Sequence, residues 1–263
     1  MSHHLVALRA IVLREALRFV HQRERFLAAL VRPLVWLVVF AAGFRAALGL
    51  SIIPPYQTYI TYETYIVPGL CGMILLFNGM QSSLSLVYDR ETGSMRLLLT
   101  APLPRGWLLF CKLLGSTAIG ILQVYAFLAV AFAFGIEMSA AGYVAALPAL
   151  LLAGLMLGAL GLAISSLVRQ LENFAGVMNF VIFPMFFLST ALYPLWKMAE
   201  SSDLLRDICA ANPFTHAVEL IRFALYGQVN GMAFLWVLLS LAAFLALALW
   251  GYDPARGMVR RKG

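Results

Sequence analysis

The stretch Tyr88–Trp107, YDRETGSMRLLLTAPLPRGW, lies between two long apolar runs and brings five charges, Asp89, Arg90, Glu91, Arg96 and Arg105, into a chain that otherwise avoids charge. A polar interruption of this kind belongs in water. Thr92 or Ser94 can cap a short helix, Met95, Leu98 and Leu99 recur at i, i+3, i+4 on one side of it, and Pro102 and Pro104 stop it. About three turns of amphipathic helix result, far short of the roughly 20 residues needed to cross a bilayer. The spacing therefore predicts a cytoplasmic knob over 88–105 whose apolar side rests on another protein.

Composition sets the class of the chain around that knob. Of its 263 residues 62% are apolar and 12% charged, with a mean hydropathy of +0.88. Soluble domains carry about 25% charged residues, so this is a polytopic, all-α integral membrane protein, read as a single membrane domain over 1–263. The three cysteines, Cys71, Cys111 and Cys209, are far apart, and the first two fall in apolar runs; neither a disulfide nor a metal site is expected. His3, His4, His21 and His216 show no ligand spacing. The net charge of +7 comes from basic residues beside the apolar runs, where they orient the chain and meet anionic lipid rather than nucleic acid.

Six apolar runs are each long enough to span: roughly 26–44, 65–87, 107–135, 143–168, 174–192 and 232–250. An even number places both termini on one side. With the termini inside, fifteen Lys and Arg residues, among them Arg32, Arg90, Lys112 and Arg169, fall on the cytoplasmic side. Only Arg45, Lys197, Arg206 and Arg222 remain outside. That bias predicts a chain with both ends cytoplasmic.

Ahead of the first run, residues 1–25 hold Arg14, Arg18, His21, Gln22 and Arg25 within a narrow arc of a helical wheel, opposite Leu5, Leu8, Val12, Ala16 and Phe19. This is the pattern of an interface helix with its arginines toward lipid phosphate or a partner. It is too polar and too long for a cleavable signal, so it is expected to be retained. After the first run, Tyr56, Tyr59, Tyr62 and Tyr65 suit an interfacial aromatic belt. The outer segment 193–231 is expected to hold two short helices, one capped by Ser202 and running to Ala211, the other opened by Pro213 and running from Thr215 to Tyr226, ended by Gly227. Neither can span; both dip into the outer leaflet and return, which non-helical backbone tolerates only under protein cover or beside a water-filled cavity.

Within the runs, Asn78, Gln81, Ser82 and Ser85 share one face at i, i+3, i+4, i+7. Two readings stand for them: interhelical hydrogen-bond glue, the commoner role of polar side chains in membranes, and, with Asn179, Phe183 and Phe187, the lining of a translocation path. Gly154 and Gly158 form a GxxxG that permits close helix approach, and Pro184 is expected to kink the fifth run. There is no G-x-x-x-x-G-K-[ST] phosphate loop, no H-E-x-x-H and no G-x-S-x-G, and no acidic residue falls near the middle of a run. Energy for transport is therefore expected from outside the chain.

In order and spacing these features resemble the membrane-spanning permeases of type-2 ABC transporters of bacteria. The resemblance rests on Ile66-Val67-Pro68-Gly69-Leu70 entering the second run and on the loop from Glu91-x-Gly93-Ser94 to Thr100-Ala101-Pro102-Leu103. It also rests on Asn212-Pro213-Phe214-Thr215-His216-Ala217 followed by Arg222. Ala101 departs from the Thr-Pro pair of many relatives. The resemblance implies an exporter permease of the bacterial inner membrane, a homodimer seated on two separate cytoplasmic ATPase subunits. ATP and Mg would be bound there and none on this chain. It implies ATPase coupling through Asp89, Arg90, Glu91, Gly93, Met95, Arg96, Leu98 and Leu99, and an outer gate at Asn212, Pro213 and Arg222. The cargo expected is a drug-like, amphipathic or lipid molecule, with a lipid-linked glycan as the alternative. The rivals from other classes are a polytopic membrane enzyme and a stand-alone channel or carrier.

Overall fold

A computed structural model describes residues 8–14, 17, 30–39, 54–56, 60–91, 104–168 and 170–252. The described chain is all helical. After a short helical stretch at 8–14, the elements are α1 (Leu30–Val39), α2 (Tyr62–Glu91), α3 (Arg105–Ala133), α4 (Ala140–Leu167), α5 (Leu171–Phe187), α6 (Leu195–Ser201), α7 (Asp203–Ala211), α8 (Pro213–Leu225) and α9 (Gly231–Gly251). Four of them, in α2, α3, α4 and α9, are long and apolar enough to cross a bilayer; α1 and α5 are shorter apolar helices.

Helix boundaries follow local chemistry. Pro104 precedes α3 and accepts from the Trp107 amide at 2.9 Å, while Gly135 adopts a left-handed φ of +84° to reverse the chain after it. The Ser139 hydroxyl accepts from the Gly142 amide at 3.0 Å to open α4, and the Asn230 side chain accepts from the Ala233 amide at 3.0 Å to open α9. α2, α3 and α4 run antiparallel in turn. Tyr125 of α3 donates to the Tyr143 carbonyl of α4 at 2.7 Å, tying the hairpin near its turn. The end of the bundle that carries Glu91, Arg105 and Leu167 is the knob end; the opposite end, near Tyr62, is the far end.

α4 is the central helix. It packs on α2, α3, α8 and α9, and Ala146, Ala149, Leu150, Ala153, Met156 and Leu157 are buried along it. Apolar side chains gain little from leaving lipid tails, so helices here hold together by close packing. A Cβ on Gly79 of α2 would lie 2.9 Å from the Gly158 Cα of α4, and one on Gly154 would lie 2.7 Å from the Thr117 methyl of α3. The Gly154/Gly158 pair thus does what its spacing predicts. All three cysteines are buried free thiols.

Several sequence expectations need correction. The fifth run extends in the sequence to Leu192, but α5 stops at Phe187: Pro184 lies in its last turn, and the Leu188 amide closes on the Pro184 carbonyl at 2.9 Å. Tyr56, Tyr62 and Tyr65 are buried at 4%, 1% and 1% exposure, not spread along an interface; Tyr59 lies outside the described residues. Three helices rather than two occupy the 193–231 segment. Ser202 stands at the N-cap position of α7 without a capping side-chain bond, and α8 starts at Pro213, two residues earlier than expected. The charge pattern places Arg32 on the cytoplasmic side, yet its guanidinium lies over the ring of Phe77, halfway along α2.

Packing at these glycines gives a direct prediction. Gly79→Val is expected to cost about 1–3 kcal/mol through overpacking against the α4 backbone, read as a lower unfolding temperature in detergent. Gly176→Ala, at a site with no atom within 4 Å, should leave that temperature unchanged or raise it slightly. Equal behaviour of the two variants would remove the α2–α4 contact as a source of stability.

Candidate functional site

The residues Leu188–Leu192 leave α5 unwound in a buried position, with Ser189, Thr190, Ala191 and Leu192 all enclosed. Buried non-helical backbone must find partners outside the helix ladder. Here the partners are side chains. Asn212 donates from Nδ2 to the carbonyls of Met185 at 2.8 Å and Leu188 at 2.6 Å. The Tyr65 hydroxyl donates to the Thr190 carbonyl at 3.0 Å, and the Tyr62 hydroxyl to the Leu192 carbonyl at 3.0 Å. Thr215 accepts from the Thr190 amide at 3.3 Å and donates to the Cys209 carbonyl at 2.6 Å.

Arg222 completes the set. Its Nη2 donates to the Thr190 carbonyl at 2.7 Å, its Nη1 pairs with Glu219 one turn back on α8, and its guanidinium carbon lies 4.1 Å from the Tyr65 ring centroid. It is 2% exposed. Burial acts to weaken this charge, but Glu219, Tyr65 and Tyr56 outweigh it and hold the guanidinium above its ordinary value. Nearby, the His216 ring stacks on Trp236 of α9 at 5.2 Å and 7°, and burial holds its imidazole below the ordinary value.

Two sequence motifs therefore converge on one unwound segment. In Ile66-Val67-Pro68-Gly69-Leu70, Gly69 carries the contact: a Cβ there would lie 2.5 Å from the Ala191 carbonyl oxygen. In Asn212-Pro213-Phe214-Thr215, Asn212 uses its other atom to cap α8, accepting from the Phe214 amide at 2.9 Å, while Pro213 occupies the first turn, where no amide is needed. Tyr62, Tyr65, Thr190, Thr215 and Glu219 were not singled out as site residues from sequence. The available signal was a proline, Pro184, followed by Ser189-Thr190, polar residues that compete with the helix ladder.

The polar face of α2 joins helices. Asn78 donates to the Ser116 carbonyl of α3 at 2.7 Å, and Lys112 of α3 donates to Ser85 at 2.6 Å, with Ser85 donating in turn to the Ser82 carbonyl. Gln81 is half-buried. On α5, Asn179, Phe180, Phe183 and Phe187 are exposed, and Phe183 stacks on Phe187 at 6.2 Å. At the knob end Glu91 is exposed in the last turn of α2. Gly93, Met95, Arg96, Leu98 and Leu99, and the side chains of Asp89 and Arg90, lie outside the described residues, as do Arg18 and Arg25 of the N-terminal helix. Arg14 is described and exposed.

Removing the Arg222 charge leaves Glu219 without its partner and Thr190 with one donor fewer. Arg222→Gln is expected to cost about 3–5 kcal/mol, the range for breaking a buried ion pair. Arg222→Lys should restore only part, since one ammonium cannot serve an ion pair, a carbonyl and a ring together. Thermal unfolding of the detergent-solubilised variants checks both; an unchanged midpoint in Arg222→Gln would mean that Asn212 and the tyrosines suffice.

Comparison with known proteins bears on what this scaffold is for. A family model described as ABC-2 type transporter matches residues 6–226. The putative transport permease ycf38 of Pyropia yezoensis is 28% identical over 234 residues, covering 87% of this chain and 77% of that protein. The probable multidrug ABC transporter permease YbhR of Escherichia coli K12 is 28% identical over 210 residues, 79% of this chain and 55% of that protein. Nodulation protein J of Rhizobium leguminosarum bv. viciae is 32% identical over a shorter stretch of 83 residues, 32% of this chain and 31% of that protein.

Proposed function

The chain belongs to the ABC-2 type transporter membrane family, and from that premise we propose that it is the permease subunit of an ATP-driven exporter, working as a homodimer on two separate cytoplasmic ATPase subunits. The family and the names of its relatives are those of transport permeases, which sets the enzyme reading aside. The observation that carries the proposal is the family match over 6–226, which takes in the polar segment between α2 and α3. That segment leaves the bundle at the end where Leu167 and Gly251 also lie.

In this reading α1 and α5 cross the membrane together with the four longer helices, giving six spans. Both termini and the knob face the cytoplasm, as the distribution of basic residues supports, fourteen to four once Arg32 is set aside. The site is the bacterial inner membrane. The knob, with Asp89, Arg90, Glu91, Gly93, Met95, Arg96, Leu98 and Leu99, receives the movement of the ATPases, and the N-terminal helix with Arg14, Arg18 and Arg25 forms a second contact with lipid or ATPase. ATP and Mg belong to the partner. Asn212, Pro213 and Arg222 form an outer gate that opens by loosening α8 from the unwound segment; Asn179, Phe183 and Phe187, on the exposed face of α5, line the path with Gln81. Asn78 and Ser85, engaged with α3, hold its wall in place.

The cargo that fits is amphipathic, drug-like or lipid. The relative YbhR is named a probable multidrug permease. A lipid-linked glycan is the alternative cargo.

A mild-detergent pull-down of the tagged chain from its native membrane tests the coupling assignment. A soluble Walker-type ATPase should be recovered with the native chain and lost with Asp89→Lys/Glu91→Lys. Recovery of the chain alone, or of the ATPase equally with both forms, would overturn it.

A further inference from the structure

Arg32 is a charge inside an apolar helix for which the described residues supply no counter-ion. On α1, Trp36 packs edge-on against Phe186 and Phe187 of α5, with ring centroids 6.2 and 5.8 Å away. Arg32, one helical turn earlier, shares that face. Its guanidinium carbon lies 3.9 Å from the centroid of the Phe77 ring on α2.

Phe77 stands near the middle of Tyr62–Tyr88, the part of α2 long and apolar enough to cross a bilayer. At 1.5 Å per residue it is about 22 Å from one end and about 16 Å from the other. Against a hydrocarbon core about 30 Å thick, that places the guanidinium within a few Å of mid-depth. A cation at such depth is costly and marks a functional position unless it is paired.

Other cations in the bundle have partners: Arg222 has Glu219 and the Thr190 carbonyl, and Lys112 has Ser85. Arg32 is exposed and, among the described residues, has no carboxylate within ion-pair distance. The aromatic ring covers one face of the guanidinium and holds it in place. The planar N–H fork of a guanidinium matches a carboxylate or phosphate, and no described residue hydrogen-bonds to that of Arg32. Gln81, one turn from Phe77 on the same face of α2 and half-buried, gives that face a neutral polar group.

We propose that Arg32, seated on Phe77, binds the anionic head group of an amphipathic cargo, a phosphate or carboxylate on an apolar tail, at mid-depth on the face shared by α1, α2 and α5. The inference rests on the permease reading and narrows its substrate class to anionic amphiphiles. A neutral drug-like molecule gains nothing from this fork. An anionic head group there neutralises a charge that is otherwise stranded in hydrocarbon, while its tail lies against exposed Phe180 and Phe183 of the neighbouring α5.

The test is binding by the full chain in phosphatidylcholine nanodiscs, without any ATPase, so that a failed ATPase recovery does not affect it. The probes are dodecyl phosphate and its neutral counterpart dodecanol, followed by native mass spectrometry and by Trp36 fluorescence. Dodecyl phosphate should bind about tenfold more weakly to Arg32→Gln than to the native chain, with dodecanol unchanged. Arg32→Lys should keep part of the affinity, and Phe77→Leu should fall between native and Arg32→Gln. Displacement of dodecyl phosphate by phosphatidylglycerol would assign the site to a phospholipid head group; no displacement would assign it to a single-chain anionic amphiphile. Equal affinity of the native and Arg32→Gln chains for dodecyl phosphate overturns the proposal. So does a loss of self-association in Arg32→Gln with probe binding intact, which would give the fork to a carboxylate of a second copy.

Discussion

A peptide carbonyl buried among apolar side chains must accept a hydrogen bond, and where α5 ends at Phe187 the helix no longer supplies donors. The chain answers with side chains from two distant elements, Tyr62 and Tyr65 at the start of α2 and Asn212 and Arg222 around α8, all aimed at carbonyls between Met185 and Leu192. Each of those bonds crosses between helices far apart in sequence. Meeting the backbone requirement therefore sets where α8 lies relative to α2 and α5. α8 in turn packs on α4 and α9, so the far end of the bundle is organised around this one unwound segment.

The same arrangement explains how a charged pair can exist deep inside an apolar bundle. Arg222 is tolerated because both terminal nitrogens and the plane of its guanidinium are engaged: Glu219 takes Nη1, the Thr190 carbonyl takes Nη2, and the Tyr65 ring lies near the plane, while Nε alone is left without a partner among the described residues. Among the described residues Arg32 has only the Phe77 ring. Two arginines, each stacked on an aromatic residue of α2, thus play opposite parts. One ties elements together, and the other keeps a binding valence open.

Close approach divides the helices into an inner and an outer set. α4 turns Gly154, Gly158 and Gly161 toward α2 and α3 and is buried through its middle, leaving Val144, Leu147 and Leu151 exposed toward its first half. α9 exposes Leu235, Leu239, Leu247, Leu249 and Trp250, and α5 exposes Asn179, Phe180 and Phe183. The first surface is uniformly apolar, as lipid contact requires. The second mixes an amide with aromatic rings, near a guanidinium that has no carboxylate partner among the described residues, a composition suited to an amphipathic molecule rather than to lipid tails alone.

Much of this molecule could be read from residue order. The apolar runs and the polar stretch at 88–105 are local patterns, and local patterns place four long apolar helices and their ends with small error, whereas the caps at Ser139, Asn212 and Asn230 came from the structure. The motifs around Gly69 and Asn212 were visible too, as strings that pointed to the ABC-2 family. What they do could not be read, because a glycine pressed on the Ala191 carbonyl and an asparagine spanning two carbonyls of α5 are relations between segments more than a hundred and about twenty-five residues apart. The tyrosines of 56–65 look the same in sequence whether they line an interface or donate into a buried turn. The depth of Arg32 was hidden for the same reason. Periodicity tells which face of a helix a residue occupies, whereas only packing tells what that face meets.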